Sequence, residues 1–265
     1  MVEKLSSPLG NLPLVIAHRG ASSDAPENTL ASFQMAFEQG VTAIEGDFRV
    51  TKDGQIVCIH DSNGRRTLGK NVGIAKSTLA ELKTLSAGKW KGKKWIEERI
   101  PTLEEVLGIM PSGSQLFLEV KCGPEIIEPL AEAIHELKIT SDQLVLISYN
   151  KEVLKLFKEQ FPHFFAYLIV KFEKELYLIG RYKPDIQTVI NDLQRLRLDG
   201  LDSKAQGLVD EAMVRKLKDA GYPLYVWTVN DDEKANKFIA LGVDGIATDR
   251  PSWLLKYLQD MSPDG

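Results

Sequence analysis

Short runs of β-branched and aromatic residues recur along the chain, each followed by a capped amphipathic stretch. The runs are LVIAH at 14–18, TAIEGDF at 42–48, QLFLEVK at 115–121, QLVLIS at 143–148, FFAYLIV at 164–170, LRLDGLD at 196–202, PLYVWTV at 223–229 and VDGIAT at 243–248. The segments between them have helical ends. Thr102 and Glu105 form a capping-box pattern ahead of LEEVLGIM. The helix predicted after Val209 is apolar at Val209, Ala212, Met213, Leu217 and Ala220 and stops at Gly221, and Asn230 is the predicted cap of DDEKANKFIALG, which ends at Gly242. Apolar runs alternating with helices specify a parallel sheet, and eight such units imply closure into a barrel.

One apolar run is left over, QIVCIH at 55–60. It follows the second strand after only the turn TKDG, too short for a parallel crossover, so it reads as the return arm of a hairpin. Pairing Val50 with Gln55 sets Glu45 opposite His60. The Lys- and Gly-rich stretch that follows, with a short helix in TLAELKTL, reads as an insertion over residues 52–112 rising above the barrel. The expected architecture is a single α/β domain, residues 1–265, folded as a TIM (βα)8 barrel with a small insertion after its second strand.

Composition agrees with one large core: 43% of the 265 residues are hydrophobic and 26% charged. The formal net charge of -4 gives no reason to expect nucleic acid or an anionic membrane as partner. No window approaches the ~18 apolar residues of a membrane span, so no stable membrane insertion is expected. The N-terminus has no apolar run of signal-peptide length, which points to the cytoplasm. Cys58 and Cys122 lie in apolar runs and read as small buried hydrophobes in a reducing compartment.

Chemistry on such a barrel sits at the C-terminal ends of the strands, and there polar residues interrupt the apolar runs. Strand one ends in His18-Arg19-Gly20, strand two in Glu45-Gly46-Asp47, the return arm in His60-Asp61, and strand three in Glu119-Val120-Lys121; Trp227 ends strand seven. A lone strand-end histidine is more often structural, but two on one rim point to catalysis, whereas His135 and His163 read as surface residues. Glu45 and Asp47 share a face, and because the alternate residues Ile44 and Phe48 are apolar, the acids face the barrel interior. Two buried like charges need a cation there. With Glu119 as a third oxygen donor, the expected ion is hard, Mg²⁺ or Ca²⁺. Lys121 could simply neutralise these acids, a role compatible with binding phosphate as well.

The segments IAHRGASSDAPENTLASF, IEGDFRVTKDGQIVCIHD, RIPTLEEVL, LEVK, VWTVND and GVDGIATDRP resemble, in order, the signature segments of the glycerophosphodiester phosphodiesterase family. The likeness runs from about Val15 to Pro251 and is poor over 170–200. It implies a TIM barrel with an insertion after its second strand, His18 and His60 as an acid–base pair, and Arg19 and Lys121 as phosphate contacts. It also implies Glu45, Asp47 and Glu119 as metal ligands, with Glu27 as a ligand or supporting carboxylate near His18. Family members more often carry a bulky aliphatic residue where this chain has Gly46, a difference expected to loosen the backbone and alter the pocket wall.

The implied reaction is metal-dependent hydrolysis of a small-molecule glycerophosphodiester to glycerol 3-phosphate and an alcohol. A glycerol hydroxyl attacks first to give a cyclic phosphate, which water then opens. His18 is assigned as base and His60 as acid in the first step, with roles reversed in the second. Trp227 either packs on the glycerol carbons or fills the core. A lysophospholipase D or sphingomyelinase D type of enzyme is the nearest alternative, for which Trp90 and Trp95 of the insertion could meet a membrane surface. A non-catalytic phosphodiester-binding barrel is the other.

Overall fold

A computed structural model describes residues 7–10, 12–174, 182–206 and 209–261. Eight parallel strands close into a barrel: β1 (Leu14–His18), β2 (Ala43–Val50), β4 (Gln115–Val120), β5 (Leu144–Ser148), β6 (Phe165–Val170), β9 (Gly200–Lys204), β10 (Leu224–Trp227) and β11 (Gly245–Thr248). Closure comes from β1, which pairs with β2 on one side and with β11 on the other, through Leu14↔Gly245 to Ala17↔Thr248. Helices α1 (Leu30–Glu38), α4 (Ile127–Glu136), α5 (Lys151–Gln160), α6 (Ile186–Leu196), α7 (Glu211–Asp219), α8 (Asp232–Ala240) and α9 (Pro251–Met261) alternate with the strands. No helix among the described residues is long and apolar enough to cross a membrane.

Alternate strand residues serve two cores. Outward residues such as Ile44, Phe48, Leu116 and Leu146 are fully buried beneath the helices. Inward residues Ile16, Ala43, Phe117, Val145, Ile147, Tyr167, Ile169, Tyr225 and Ala247 fill the barrel, which is therefore a packed plug and not a pore. That plug forms an apolar floor beneath whatever the C-terminal rim carries.

Between β2 and β4 the chain forms β3 (Ile56–Cys58), α2 (Leu79–Lys83) and α3 (Leu103–Gly108), around a separate small core of Val57, Ile59, Leu68, Ile74, Leu82, Ala87 and Ile100. Strand β3 is antiparallel to β2, as a hairpin arm must be, but its register differs by one residue from the expected one. Val50 pairs with Ile56 and Phe48 with Cys58, while the Thr51 amide donates to the Gln55 carbonyl. The turn is thus 52–54, with Gly54 at φ 79°, the left-handed position that ends a three-residue hairpin loop. Continued along the strands, this register sets His60 opposite Gly46 and not opposite Glu45.

Three further boundaries depart from expectation. The run at 196–202 straddles two elements: Leu196 ends α6, Arg197 turns at φ 55°, and β9 starts only at Gly200. The cap of α8 is Asp231, whose side chain accepts from the Lys234 amide, and Asn230 is used elsewhere. The weakly matching middle segment holds a two-stranded ribbon, β7 (Glu173–Lys174) with β8 (Tyr182–Lys183); residues 175–181 lie outside the described residues. The capping box at Thr102 and Glu105 is present as expected.

Candidate active site

Glu45 and Asp47 project from β2 into the barrel mouth, and Glu119 from β4 is brought beside them by the register Asp47↔Glu119. All three are buried, and one carboxylate oxygen from each lies within 4.8 Å of the others. Their protein partners do not saturate them. Glu45 Oε2 accepts from the Arg19 amide at 2.9 Å, Asp47 Oδ2 from Asn28 Nδ2 at 2.7 Å, and Glu119 Oε1 from Lys121 Nζ at 2.7 Å. Glu45 Oε1 and Asp47 Oδ1 are sealed from solvent without a hydrogen-bond donor. Burial pushes Glu45 well above the usual carboxylate range, and the charges of Asp47 and Glu119 add to it. Burial and Asp47 likewise raise Glu119. Burial also penalises ionised Asp47, but Arg19, Lys121 and His60 outweigh it and hold that carboxyl below its usual value.

Three buried carboxylates that bring one oxygen each within 4.8 Å, with oxygens of Glu45 and Asp47 lacking a hydrogen-bond donor, fit a cation-binding site. Formally, three carboxylates against the charges of Arg19 and Lys121 leave the pocket at -1. One divalent cation would turn it to +1, the sign that receives a phosphodiester.

Arg19 sits in the β1–α1 turn at φ 57°, followed by Gly20 at φ 80°. This double left-handed turn bends the chain back so that the Arg19 amide and guanidinium both face the acids. Its Nε lies 3.0 Å from Asp47 Oδ2, and its Nη1 donates to Glu27 Oε1 at 2.9 Å. A Cβ on Gly20 would come within 2.5 Å of the Ser32 backbone, so only glycine fits against α1. Lys121 Nζ is 3.3 Å from Asp47 Oδ1 as well as bonded to Glu119. Burial lowers the affinity of both cations for their protons, but the surrounding carboxylates prevail and both stay charged.

Each histidine is held by a carboxylate. His18 Nδ1 is 2.7 Å from Asp249 Oδ1, and its Nε2 points to Glu45 Oε2 at 4.0 Å. His60 Nδ1 is 2.7 Å from Asp61 Oδ1. An ionised carboxylate only accepts, so in both rings Nδ1 carries the hydrogen and Nε2 is left for proton transfer. The supporting acids are themselves fixed. Asp249 receives Ser22 Oγ at 2.9 Å and Asn230 Nδ2 at 2.6 Å, and Asp61 receives Arg66 Nε at 2.7 Å. Burial works against both acids, yet these partners bring each down to about 2. For His60, burial lowers the pKa from its usual value; Asp47 and Asp61 oppose this, while Arg19 and Lys121 add to it. His60 and Asp47 each feel the other's charge, and the chain bends after Ile59.

The remaining expected residues fall around this centre. Both oxygens of Glu27 are taken by arginines, Arg19 on one side and the Nη1 and Nη2 of Arg66 on the other, so it braces Arg19 and stands outside the acid cluster. The result is a continuous chain of contacts, His60–Asp61–Arg66–Glu27–Arg19–Asp47. The half-buried Trp227 packs against the barrel plug and meets Tyr149 edge to face at 6.4 Å, so it touches both core and mouth. Gly46 points the other way from its neighbours: a Cβ there would meet Cys58 Sγ at 3.0 Å and Phe33 Cζ at 3.1 Å. It lies under α1 and does not shape the pocket wall. Cys58 is buried and donates to Asn28 Oδ1 at 3.1 Å, and Cys122 is only partly buried.

Sequence reasoning passed over Asp249, Asn28 and Asp202. Asp249 stood in the quoted segment GVDGIATDRP just past β11, and strand order alone puts that end next to His18. Asn28 gave no periodic signal; it is buried at φ 57° and holds the Asp47 side chain and backbone amide together.

Comparison with known proteins adds the family. Residues 18–252 match the model of the glycerophosphoryl diester phosphodiesterase family. A glycerophosphodiester phosphodiesterase of Caldanaerobacter subterraneus is 36% identical over 93% of this chain and 98% of its own. One of Bacillus subtilis is 27% identical over 90% and 84%. The structure of an Oleispira antarctica phosphodiesterase in complex with the product sn-glycerol-3-phosphate superposes with a TM-score of 0.82, at 33% identity, covering 94% of this chain and 97% of that one.

Proposed function

The chain belongs to the glycerophosphoryl diester phosphodiesterase family, and on that premise we propose that it releases glycerol 3-phosphate from small glycerophosphodiesters by divalent-metal-assisted, two-histidine acid–base catalysis. The observation that carries this reading is the pairing of a three-carboxylate cluster with two carboxylate-oriented histidines on one rim.

Glu45, Asp47 and Glu119 would hold Mg²⁺ or Ca²⁺, which when bound supplies positive charge to the phosphoryl oxygens. Arg19 and Lys121 bring their own charges to the same oxygens and steady them in the transition state, where negative charge shifts among them. Burial of these groups over an apolar floor strengthens each of those interactions.

The two histidines differ in depth. The His18 side chain is 13% exposed and that of His60 33%. The constant part of the substrate, glycerol, belongs at the deep end, and the variable alcohol at the open end. His18 Nε2 then takes the proton from the attacking glycerol hydroxyl, and His60 Nε2 gives one to the departing alcohol. The product of that step is a cyclic phosphate, which water activated at His60 opens while His18 returns its proton. The outer flank of His60 leads into an open cleft lined by Arg49, Asn63, Arg65, Arg66 and Asn71, where the alcohol leaves.

The test is release of glycerol 3-phosphate from a panel of glycerophosphodiesters, with and without chelator. Activity lost in EDTA and restored by Mg²⁺ or Ca²⁺ is expected. Full activity in metal-stripped enzyme would refute the metal assignment, and no release from any diester would refute the reaction.

A further inference from the structure

Opposite the acid cluster, the mouth contains a fourth carboxyl that the scheme above does not use. Asp202 points inward from β9, in register with Ile169 on β6 and Tyr225 on β10, both members of the barrel plug. Only 7% of the residue is exposed. Among the described residues no hydrogen bond or ion pair reaches its carboxyl, yet its oxygens are not sealed off as those of Glu45 and Asp47 are, so they open to the mouth. Burial keeps this group well above the usual carboxylate range, with the Glu119 charge adding to the effect. It stands apart from the three-acid cluster.

An acid nine-tenths buried, with no partner among the described residues, is a cost to the fold that a ligand can offset. The surroundings indicate which ligand. On the neighbouring β10 the same inward face carries Trp227, two residues past Tyr225, the register partner of Asp202, and Trp227 meets Tyr149 edge to face. A carboxyl with aromatic side chains on the neighbouring strand is a setting for a polyol, with rings on its carbons and oxygens on its hydroxyls. The carboxyl accepts from one hydroxyl and, when protonated, donates to another.

We propose that Asp202 is a substrate-contacting residue which hydrogen-bonds a free hydroxyl of the glycerol unit, while Trp227 covers the glycerol carbons. This rests on the reading of the site as a glycerophosphodiesterase and adds to it the residue that tells glycerol from other esterifying groups.

The experiment is calorimetric titration of the metal-loaded protein with glycerol 3-phosphate and with methyl phosphate, which has the same phosphate and no hydroxyl. Wild type is compared with Asp202→Asn and Asp202→Leu. The Leu variant should bind glycerol 3-phosphate roughly 10–100-fold more weakly, the effect of one buried hydrogen bond, with methyl phosphate unchanged. In turnover of a glycerophosphodiester, KM should rise more than kcat falls. Equal weakening of both ligands would mean a role in metal or fold and overturn the proposal, as would no change in either. Because Asp202 has no partner among the described residues, both variants should melt at or above the wild-type temperature; if Leu proves too large, Asn decides alone. Wild type that prefers glycerol 3-phosphate over methyl phosphate but hydrolyses no diester would sink the functional reading and leave this contact standing. Normal turnover without discrimination by the variants would do the reverse.

Discussion

At the scale of single residues, the site is built from pairs in which one group sets the protonation of another. The two histidines should therefore fail in different ways. Replacing either with Ala should lower kcat by roughly 10²–10⁴-fold with smaller changes in KM, since Arg19 and Lys121 still hold the phosphate. A nitrophenyl leaving group needs no proton, so it should rescue His60→Ala and not His18→Ala. The opposite pattern would exchange base and acid. Asp249 offers a second check. Its pKa is depressed to about 2 and that of Asp61 likewise, so the folded state favours their ionised forms. The stability they confer is present above the unfolded carboxylate value of about 4 and is lost as pH falls from there toward 2. Asp249→Asn should flatten acid unfolding over that window, followed by circular dichroism. It should also cut kcat by roughly 10–10⁴-fold, because an amide no longer enforces the His18 tautomer. His18, His60 and the three acids were legible in the sequence because each interrupts an apolar run at a strand end. Asp249 and Asn28 were not, because their meaning depends on which chain ends and loops become neighbours.

At the scale of elements, the β1–α1 connection is the most constrained. Gly20 cannot accept a Cβ without moving α1, whereas Gly113, also at positive φ (80°), has open space around it. Gly20→Ala should destabilise the protein by about 2–4 kcal/mol in urea unfolding, against about 1 kcal/mol for Gly113→Ala. The activity of Gly20→Ala per folded molecule should also fall, since the turn aims Arg19. On β2 the outward Gly46 makes room for Phe33 and Cys58, and Gly46→Leu should overpack that seam by about 1–3 kcal/mol while leaving the mouth lining intact. The hairpin shows where element reading stopped. Alternation identified a return arm, but a four-residue loop and a three-residue loop with a left-handed glycine differ by one in register. Every side chain changes face with that one step. His60 itself lies beyond the end of β3, where the ladder no longer fixes its face.

At the scale of the whole molecule, the sequence pattern was most reliable, because eight strand–helix units can bury their apolar faces in few ways. The same closure couples the site to global stability. A cation binding Glu45, Asp47 and Glu119 ties β2 to β4 and should stabilise the fold by about 2.7 kcal/mol at a hundredfold excess over its dissociation constant, so that the melting temperature rises with its concentration. Asp47→Asn together with Glu119→Gln should remove the concentration dependence, read by thermal unfolding in a Mg²⁺ or Ca²⁺ series. A melting temperature indifferent to both ions in the unaltered protein would count against a bound metal.

The bond between His18 and Asp249 spans 231 positions, joining the first barrel strand to the turn after the last. During synthesis, His18 leaves the ribosome long before its partner exists; at 5–20 residues per second the delay is roughly ten seconds to most of a minute. For the later part of that interval the nascent chain carries both histidines and all three acids, but nothing sets the tautomer of the deeper histidine and no eighth strand closes the mouth. Hydrolytic competence thus comes last, as a property of the finished ring. A chain cut short before Asp249 would keep every acid of the cluster and both histidines, yet lack the contact that orients one of them.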